Sequence, residues 1–322
     1  MMLLKLFGIM IPIRIKNLAI LVLSLGVITA ALIILYRHTQ GITISMVIEA
    51  ARITPTHKIA LSLLATFGSF CALAAHEVVA SNAALAKRLP LRIPILAGAI
   101  GNALGNTLSF HAITITAWRY RIYSRTGLSA VDITRITGIA VIGMALGFAG
   151  TSAIALLNNT EAMKIVAGNY ISQGIGLILI VIIGIAFGVS RRRKQIGIGR
   201  FTVSLPDRPI LTRQLLIGLV EMSAAVYASY ILLPVNAAPS FAHFTIFYIA
   251  ATLFGIASHT PGGIGVFEAG MMTALAAEGR ADILAALLLY RVIYNLLPFV
   301  IACIAIAIYE VRLRFSSIKD IA

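Results

Sequence analysis

The chain has 322 residues, of which 60% are hydrophobic and 11% charged, and its mean hydropathy is +0.98. Soluble domains carry about 45–50% apolar and about 25% charged residues, so a soluble fold would expose too much apolar surface to stay dispersed. A net charge of +15 without a finger-like, RNP-like or helix-turn-helix signature points to basic cytoplasmic loops and acidic phospholipid, and away from nucleic acid.

A spanning helix needs about 20 mainly apolar residues. The first such run is 17–36, preceded by Lys5, Arg14 and Lys16 and followed by no A-x-A site, so it reads as an uncleaved first helix. Segment 41–55 mixes apolar residues with Glu49 and Arg52, the pattern of an amphipathic surface helix or of an ordinary loop. The next span is 58–77. Stretch 93–118 is apolar but interrupted by GAIGNALGNTLSF (98–110), and RYRIYSR (119–125) follows it. Spans 137–157 and 170–190 come next, then a basic loop over 191–213 and the span 214–233. Stretch 244–277 is interrupted by SHTPGGIGVFE (258–268), where Pro261 removes a backbone donor and Gly262 and Gly263 weaken a continuous helix. The last span is 283–309. Cys71 and Cys303 both lie in apolar stretches with no clustered partner, so neither a disulfide framework nor a metal site is expected, and no cofactor is implied.

Charge sets the expected orientation. If both interrupted stretches enter and leave the bilayer on one face, a cytoplasmic N-terminus places 20 of the 26 Lys and Arg on the cytoplasmic side. If both crossed fully, RRRK (191–194) would face outward. The sequence therefore predicts an all-α integral membrane protein, a single transmembrane domain over 1–322 with both termini cytoplasmic. It has six full spans and two re-entrant hairpins, and the order span, span, hairpin, span occurs at 17–157 and again, inverted, at 170–309. Inverted-topology repeats with broken helices are the architecture of secondary transporters, whose sites lie where the breaks meet. Sequence similarity between the halves is weak; setting TITAWRYR (114–121) against PGGIGVFE (261–268) pairs Arg121 with Glu268.

A charge inside a bilayer costs on the order of 3 kcal/mol by insertion scales, so each needs a partner or a task. Glu221 lies mid-span, Glu268 lies beyond the Pro–Gly–Gly break, Arg291 lies inside the last span, and Glu77 lies near the inner end of the second. Glu268 and Arg291 read either as a buried pair that fixes hairpin packing or as groups lining a polar cavity. A helix restarting after Gly263 would offer free backbone N–H groups to a phosphate. Arg119 and Arg121, with the tyrosines between and beside them, read either as a phosphate-binding cluster or as positive-inside anchoring. No spacing of His76, His111 and His259 resembles a metal site. P-loop, GxSxG, HExxH and DxD-type patterns are absent, so no enzyme activity is expected.

SHTPGGIGVFEAGMM (258–272) and AALLLYRVIYNLLPF (285–299) resemble the transmembrane region of the lysylphosphatidylglycerol synthase/flippase family, the multiple peptide resistance factors. RYRIYSRTGLS (119–129) and the Gly/Asn-rich run before it are similar to that family's other motif, and the resemblance covers nearly the whole chain. It implies movement of aminoacylated phosphatidylglycerol between inner-membrane leaflets without the synthase domain, and makes a separate synthase a candidate partner. Two positions depart from the family pattern. Thr114-Ile115-Thr116 stands where the family tends to have Thr-Gly-Gly, and Glu221 stands where it usually has Asp. The expected function is translocation of an anionic or aminoacylated phospholipid, with Pro261, Gly262, Gly263, Glu268, Arg291, Glu221, Arg119 and Arg121 as site residues. The rivals are an intramembrane transferase with Glu221 or Glu268 as base, and a non-catalytic scaffold.

Overall fold

In a computed structural model, the structure describes residues 29, 32–108, 111–158, 169–192, 195–198, 201–204, 206–237 and 239–319. Most of the expected first span 17–36, the loop position Lys164, and part of the basic loop 191–213 lie outside these residues. The helices are α1 (Ile44–Arg52), α2 (Thr56–Ala84), α3 (Arg92–Thr107), α4 (His111–Ser124), α5 (Ala130–Asn158), α6 (Asn169–Arg192), α7 (Arg208–Tyr230), α8 (Phe241–Ser258), α9 (Val266–Ala274), α10 (Ala281–Tyr290) and α11 (Leu297–Lys319).

Among the described residues, six helices are long and apolar enough to cross a membrane: Thr56–Ala84, Ala130–Asn158, Ile171–Ser190, Arg208–Tyr230, Phe241–Ser258 and Ala281–Val311. Three of them contain the expected spans 58–77, 137–157 and 283–309, and two more match 170–190 and 214–233 to within three residues at one end. The sixth is α8, the first arm of the second interrupted stretch. The last span is a composite, with α10 passing through a π-helical turn over Arg291–Leu296 into α11. Segment 41–55 contains a helix, α1, whose N-cap Thr43 accepts from the Met46 N–H and which packs on α10. Ile44 and Ile53 on it stay largely exposed, as suits a helix lying at a lipid interface. One feature was not expected: within the basic loop, β1 (Gln195–Ile198) and β2 (Phe201–Ser204) form an antiparallel pair with Gln195 opposite Ser204.

The two interrupted stretches are both broken into helices that fold back on themselves. In the first, Gly101 packs on Trp118 and Ile115, and Trp118 Nε1 donates to the Leu96 carbonyl at 3.3 Å, so α3 and α4 run antiparallel. In the second, Gly263 packs on Gly255 and Gly270 on Ala251, which makes α8 and α9 antiparallel. At about 1.5 Å per residue, α3, α4 and α9 are each shorter than a hydrocarbon core about 30 Å thick.

The centre of the molecule is an antiparallel crossing of α2 and α7. Ser62 Oγ donates to the Ala228 carbonyl at 2.7 Å, Ser69 Oγ to Glu221 Oε1 at 3.4 Å, and the His76 ring meets the Gln214 amide. Each contact is seven residues further along α2 and seven back along α7, two helical turns per step. The polar stripe is needed because these side chains face each other away from both lipid and water. On the next face of α7, Gly147 of α5 and Gly218 touch backbone to backbone; a Cβ on Gly147 would lie 2.5 Å from the Gly218 Cα. Small residues permit that approach in a medium where packing, not water exclusion, drives association.

Candidate functional site

The two breaks meet. An ideal Cβ on Gly262 would lie 3.2 Å from the Asn106 carbonyl oxygen and 3.7 Å from the Thr107 Cα, so the turn of one helical hairpin rests on the turn of the other. The π turn joins them from the side: Asn295 Nδ2 donates to the Asn106 carbonyl at 3.0 Å, and Thr107 Oγ1 donates to the Asn295 carbonyl at 3.2 Å. Extra turns of π-helix inside α-helices recur at functional sites. Here the turn directs Arg291 to one break and Asn295 to the other.

Arg291 holds the second break closed. Its Nε donates to Glu268 Oε1 at 2.6 Å, Nη2 donates to the Gly263 carbonyl at 3.2 Å, and Nη1 donates to the Gly262 carbonyl. The guanidinium lies over the Phe267 ring, 4.7 Å from its centroid. Glu268 completes the turn by accepting the Gly265 N–H at 2.7 Å. Gly262, Gly263 and Gly265 all have φ between 57° and 83°, the left-handed region that favours glycine.

This geometry corrects the expected phosphate cradle at Gly262 and Gly263. The Gly263 and Ile264 N–H groups are bonded within the turn, to the Thr260 and Pro261 carbonyls, and Gly265 is taken by Glu268. The carboxylate of Glu268 occupies the positive end of α9 where an external anion was expected. The cationic group of the break is the Arg291 side chain, whose anchor points are carbonyls.

Above the meeting point lies a cavity of about 440 Å³. Its polar lining includes Asn102 and Asn106 of α3, Glu221 of α7, Tyr248 of α8, and Arg291 and Asn295 of the π turn. Glu221 is 6% exposed, and its carboxylate is met by two hydroxyls, Ser69 Oγ and Tyr294 OH, which are 2.8 Å from one another. Tyr294 stacks on Tyr290, whose hydroxyl is 2.6 Å from that of Tyr248. Asn102 and Asn295 use their Nδ2 groups on the Gly98 and Asn106 carbonyls and leave buried Oδ1 atoms without a partner. A buried acceptor without a donor is costly, and both of these residues also line the cavity.

Arg119 and Arg121 lie elsewhere. Arg119 is buried against Glu77: Nη2 donates to Oε2 at 2.6 Å and Nε to both carboxylate oxygens at 3.0–3.1 Å, while Tyr123 OH donates to Oε1 at 2.9 Å. That closed group sits inside α2, which continues to Ala84 and so places Glu77 well within the helix. Arg121 of α4 and Arg125 just past its end reach Glu310 at the surface. Neither Arg119 nor Arg121 lines the cavity. The expected phosphate cluster therefore divides into a buried structural pair and a surface pair. His76 is buried on Gln214, and His259 is at the cavity rim. Among the described residues no group of three His, Cys, Asp or Glu could hold a metal ion.

No protein-family model matches the chain. Over 212 residues it is 28% identical to the inner membrane protein YbhN of Escherichia coli, a match that covers 62% of this chain and 65% of YbhN. Over 234 residues it is 28% identical to uncharacterized protein slr0712 of Synechocystis sp., covering 70% of this chain and 71% of the relative. The chain is a multi-pass inner-membrane protein. That statement rests on the similarity to YbhN together with the six long apolar helices among the described residues.

Proposed function

We propose that this protein moves an amphiphile of the aminoacylated phospholipid kind between the leaflets of the inner membrane, through the cavity between its two hairpin turns. The observation that carries this reading is the convergence of two helix breaks on one polar cavity within an apolar bundle. Polar backbone at membrane depth is tolerated where it is buried in protein or lines a cavity, and discontinuous helices at midplane are the substrate sites of secondary transporters. In this reading both hairpins are re-entrant and the halves form an inverted repeat.

Supporting the repeat, α2 and α7 start at Thr56 and Arg208, 152 residues apart, while α5 and α10 start at Ala130 and Ala281, 151 apart. Shifting the Ser62–Ala228 contact by 152 returns the His76–Gln214 contact with the partners exchanged, and Ser69 and Glu221 become each other's counterparts. A two-fold axis in the membrane plane passing between Ser69 and Glu221 would produce this pattern. The same offset sets Glu268 against Thr116 rather than Arg121. The charges of the second break have no counterpart in the first, so symmetry organises the scaffold and asymmetry marks the site.

The lipid's phosphate would compete with Glu268 for Arg291, and a cationic head group would meet Glu221. The resemblance of SHTPGGIGVFE and YRVIYN to the lysylphosphatidylglycerol flippase region supports the same cargo class. The test is dithionite quenching of head-group-labelled lysylphosphatidylglycerol and phosphatidylglycerol in proteoliposomes, with protein-free vesicles subtracted. Wild-type protein should make inner-leaflet lipid accessible, and Ala225→Trp, which fills the cavity, should slow that by tenfold or more. Equal rates in vesicles with and without protein would end the proposal.

A further inference from the structure

The charges around the cavity do not balance in the obvious way, and the imbalance points to how transport could be driven. Arg291 is the cavity's guanidinium and is committed to Glu268. Glu221 lines the same cavity, yet among the described residues no Lys, Arg or His lies within ion-pair distance of it. Its neighbours are hydroxyls: Ser69 from α2 and Tyr294 from the π turn. The other titratable groups facing this region are Tyr290 and Arg291 beside Tyr294, Tyr248 from α8, and His259 at the rim. Along α2, His76 and Glu77 lie two turns away and are already engaged with Gln214 and Arg119. From α3 come amides alone, Asn102 and Asn106, and from α5 Met144 and Phe148.

An ionised carboxylate in the interior of a bilayer protein needs a compensating positive charge. Glu221 has hydroxyls that can donate to it or accept from it, and an open cavity in front of it where a cation could stand. Asn102 and Asn295 also line the cavity, and as neutral amides they bring no charge that could balance Glu221. The site is therefore electrically neutral in two ways, with a proton on Glu221 or with an ammonium in the cavity.

We infer that Glu221 is a proton-exchange site at which an ammonium-bearing amphiphile and a proton bind in turn, so that the protein works as a proton/cation antiporter. As the ammonium arrives, the O–H bond of the Glu221 carboxyl breaks and the proton leaves to water at the cavity mouth; as the ammonium departs, a proton from water returns to the carboxylate. Nothing is oxidised or reduced. A membrane whose outer face is acidic then drives protons inward and the cationic amphiphile outward. The inference rests on the cavity being the transport site, and adds to it the coupling ion and the residue that carries it.

The experiment reads proton exchange apart from lipid movement. Purified protein in nanodiscs is titrated with octylammonium chloride, with octanol as the neutral control, by calorimetry in buffers of different ionisation enthalpy. The proposal expects release of about one proton per ammonium bound at pH values where the Glu221 carboxyl is protonated, and an apparent affinity that strengthens as pH is raised, by up to about tenfold per unit, until the carboxyl is ionised. Glu221→Gln keeps the shape and hydrogen bonding of the protonated form, so it should stay folded, bind octylammonium at least tenfold more weakly, and release no proton. Thermal unfolding of the variant verifies its fold, and Glu221→Asp, which keeps the titrating group, should retain proton release. Wild-type binding without proton release, the same release from folded Glu221→Gln, or no binding of octylammonium by the wild type would each overturn the inference. Proton release that holds while lipid translocation fails would remove the transport reading and leave the exchange site standing.

Discussion

The most informative perturbation of the second break is Arg291→Met, because one side chain serves three acceptors. Methionine fills similar space and removes every donor. Glu268 is then left with its charge uncompensated at 4% side-chain exposure, a situation that costs about 3–5 kcal/mol when one partner of a buried pair is removed. The Gly262 and Gly263 carbonyls also lose their donors, and each can cost about 1–3 kcal/mol more where water does not replace the bond. Glu268→Gln is the milder change. Arg291 keeps both carbonyls, stays over Phe267 and has 16% exposure through which the cavity can hydrate it. The glutamine oxygen can still accept the Gly265 N–H. The two single variants should therefore be unequal, with Arg291→Met the worse, and Arg291→Met/Glu268→Gln should recover the part of the loss that belongs to the unpaired charge. At about 2–4 °C per kcal/mol, Arg291→Met should lower Tm in detergent by on the order of 10 °C, and the double variant should sit several degrees above it. Fluorescence-detected size exclusion after heating measures all three. Losses that add to within about 0.5 kcal/mol would show that the pair is not coupled and that the break is held by other contacts.

Two further predictions concern the scaffold. Arg119→Met should leave Glu77 buried and unpaired and collapse the yield of folded protein, while Arg121→Met, at the surface, should change Tm by less than about 4 °C, since exposed pairs contribute about 0–1 kcal/mol; similar losses in folded yield would refute the buried role of Arg119. For topology, on a background without Cys71 and Cys303, a single cysteine at Arg121 should be shielded from an impermeant thiol reagent in intact cells and one at Arg280 should react. Labelling at position 121 from outside would show that the first hairpin crosses fully, and the inverted repeat would fall.

Much of the architecture is legible in the sequence because the bilayer is an unforgiving solvent. Runs of apolar residues give five of the long helices, and Pro261-Gly262-Gly263 and the Gly/Asn-rich run before 110 give both breaks. Glu221, Glu268 and Arg291 stand out because a charge at that depth needs a reason. Arg119 and Arg121 were not separable by composition, although helical spacing carries the distinction. Arg119 and Tyr123 are four apart and both reach Glu77, while Arg121 and Arg125 are four apart and both reach Glu310. The Ser62, Ser69 and His76 stripe is visible at a seven-residue period once α7 is known to face it. The role of YRVIYN is less accessible: an α-helical reading gives no reason for the π turn that aims Arg291 at one break and Asn295 at the other. The N–H groups at the Pro–Gly–Gly break looked available for phosphate because sequence alone does not show that Glu268 folds back on Gly265.

The central claim is that lipid passes where the two hairpin turns meet, so those turns must part for each molecule that crosses. Cysteines at Thr107 and Gly262 test this directly, because the ideal Cβ of Gly262 lies 3.7 Å from the Thr107 Cα, so the two Cα atoms are no further apart than that distance plus one C–C bond of about 1.5 Å, within the roughly 7 Å that a disulfide can span. In proteoliposomes of the Thr107→Cys/Gly262→Cys protein lacking Cys71 and Cys303, oxidation should stop translocation of labelled lysylphosphatidylglycerol and dithiothreitol should restore it. Lipid movement at the same rate in the oxidised, crosslinked protein as in the reduced protein would contradict the claim.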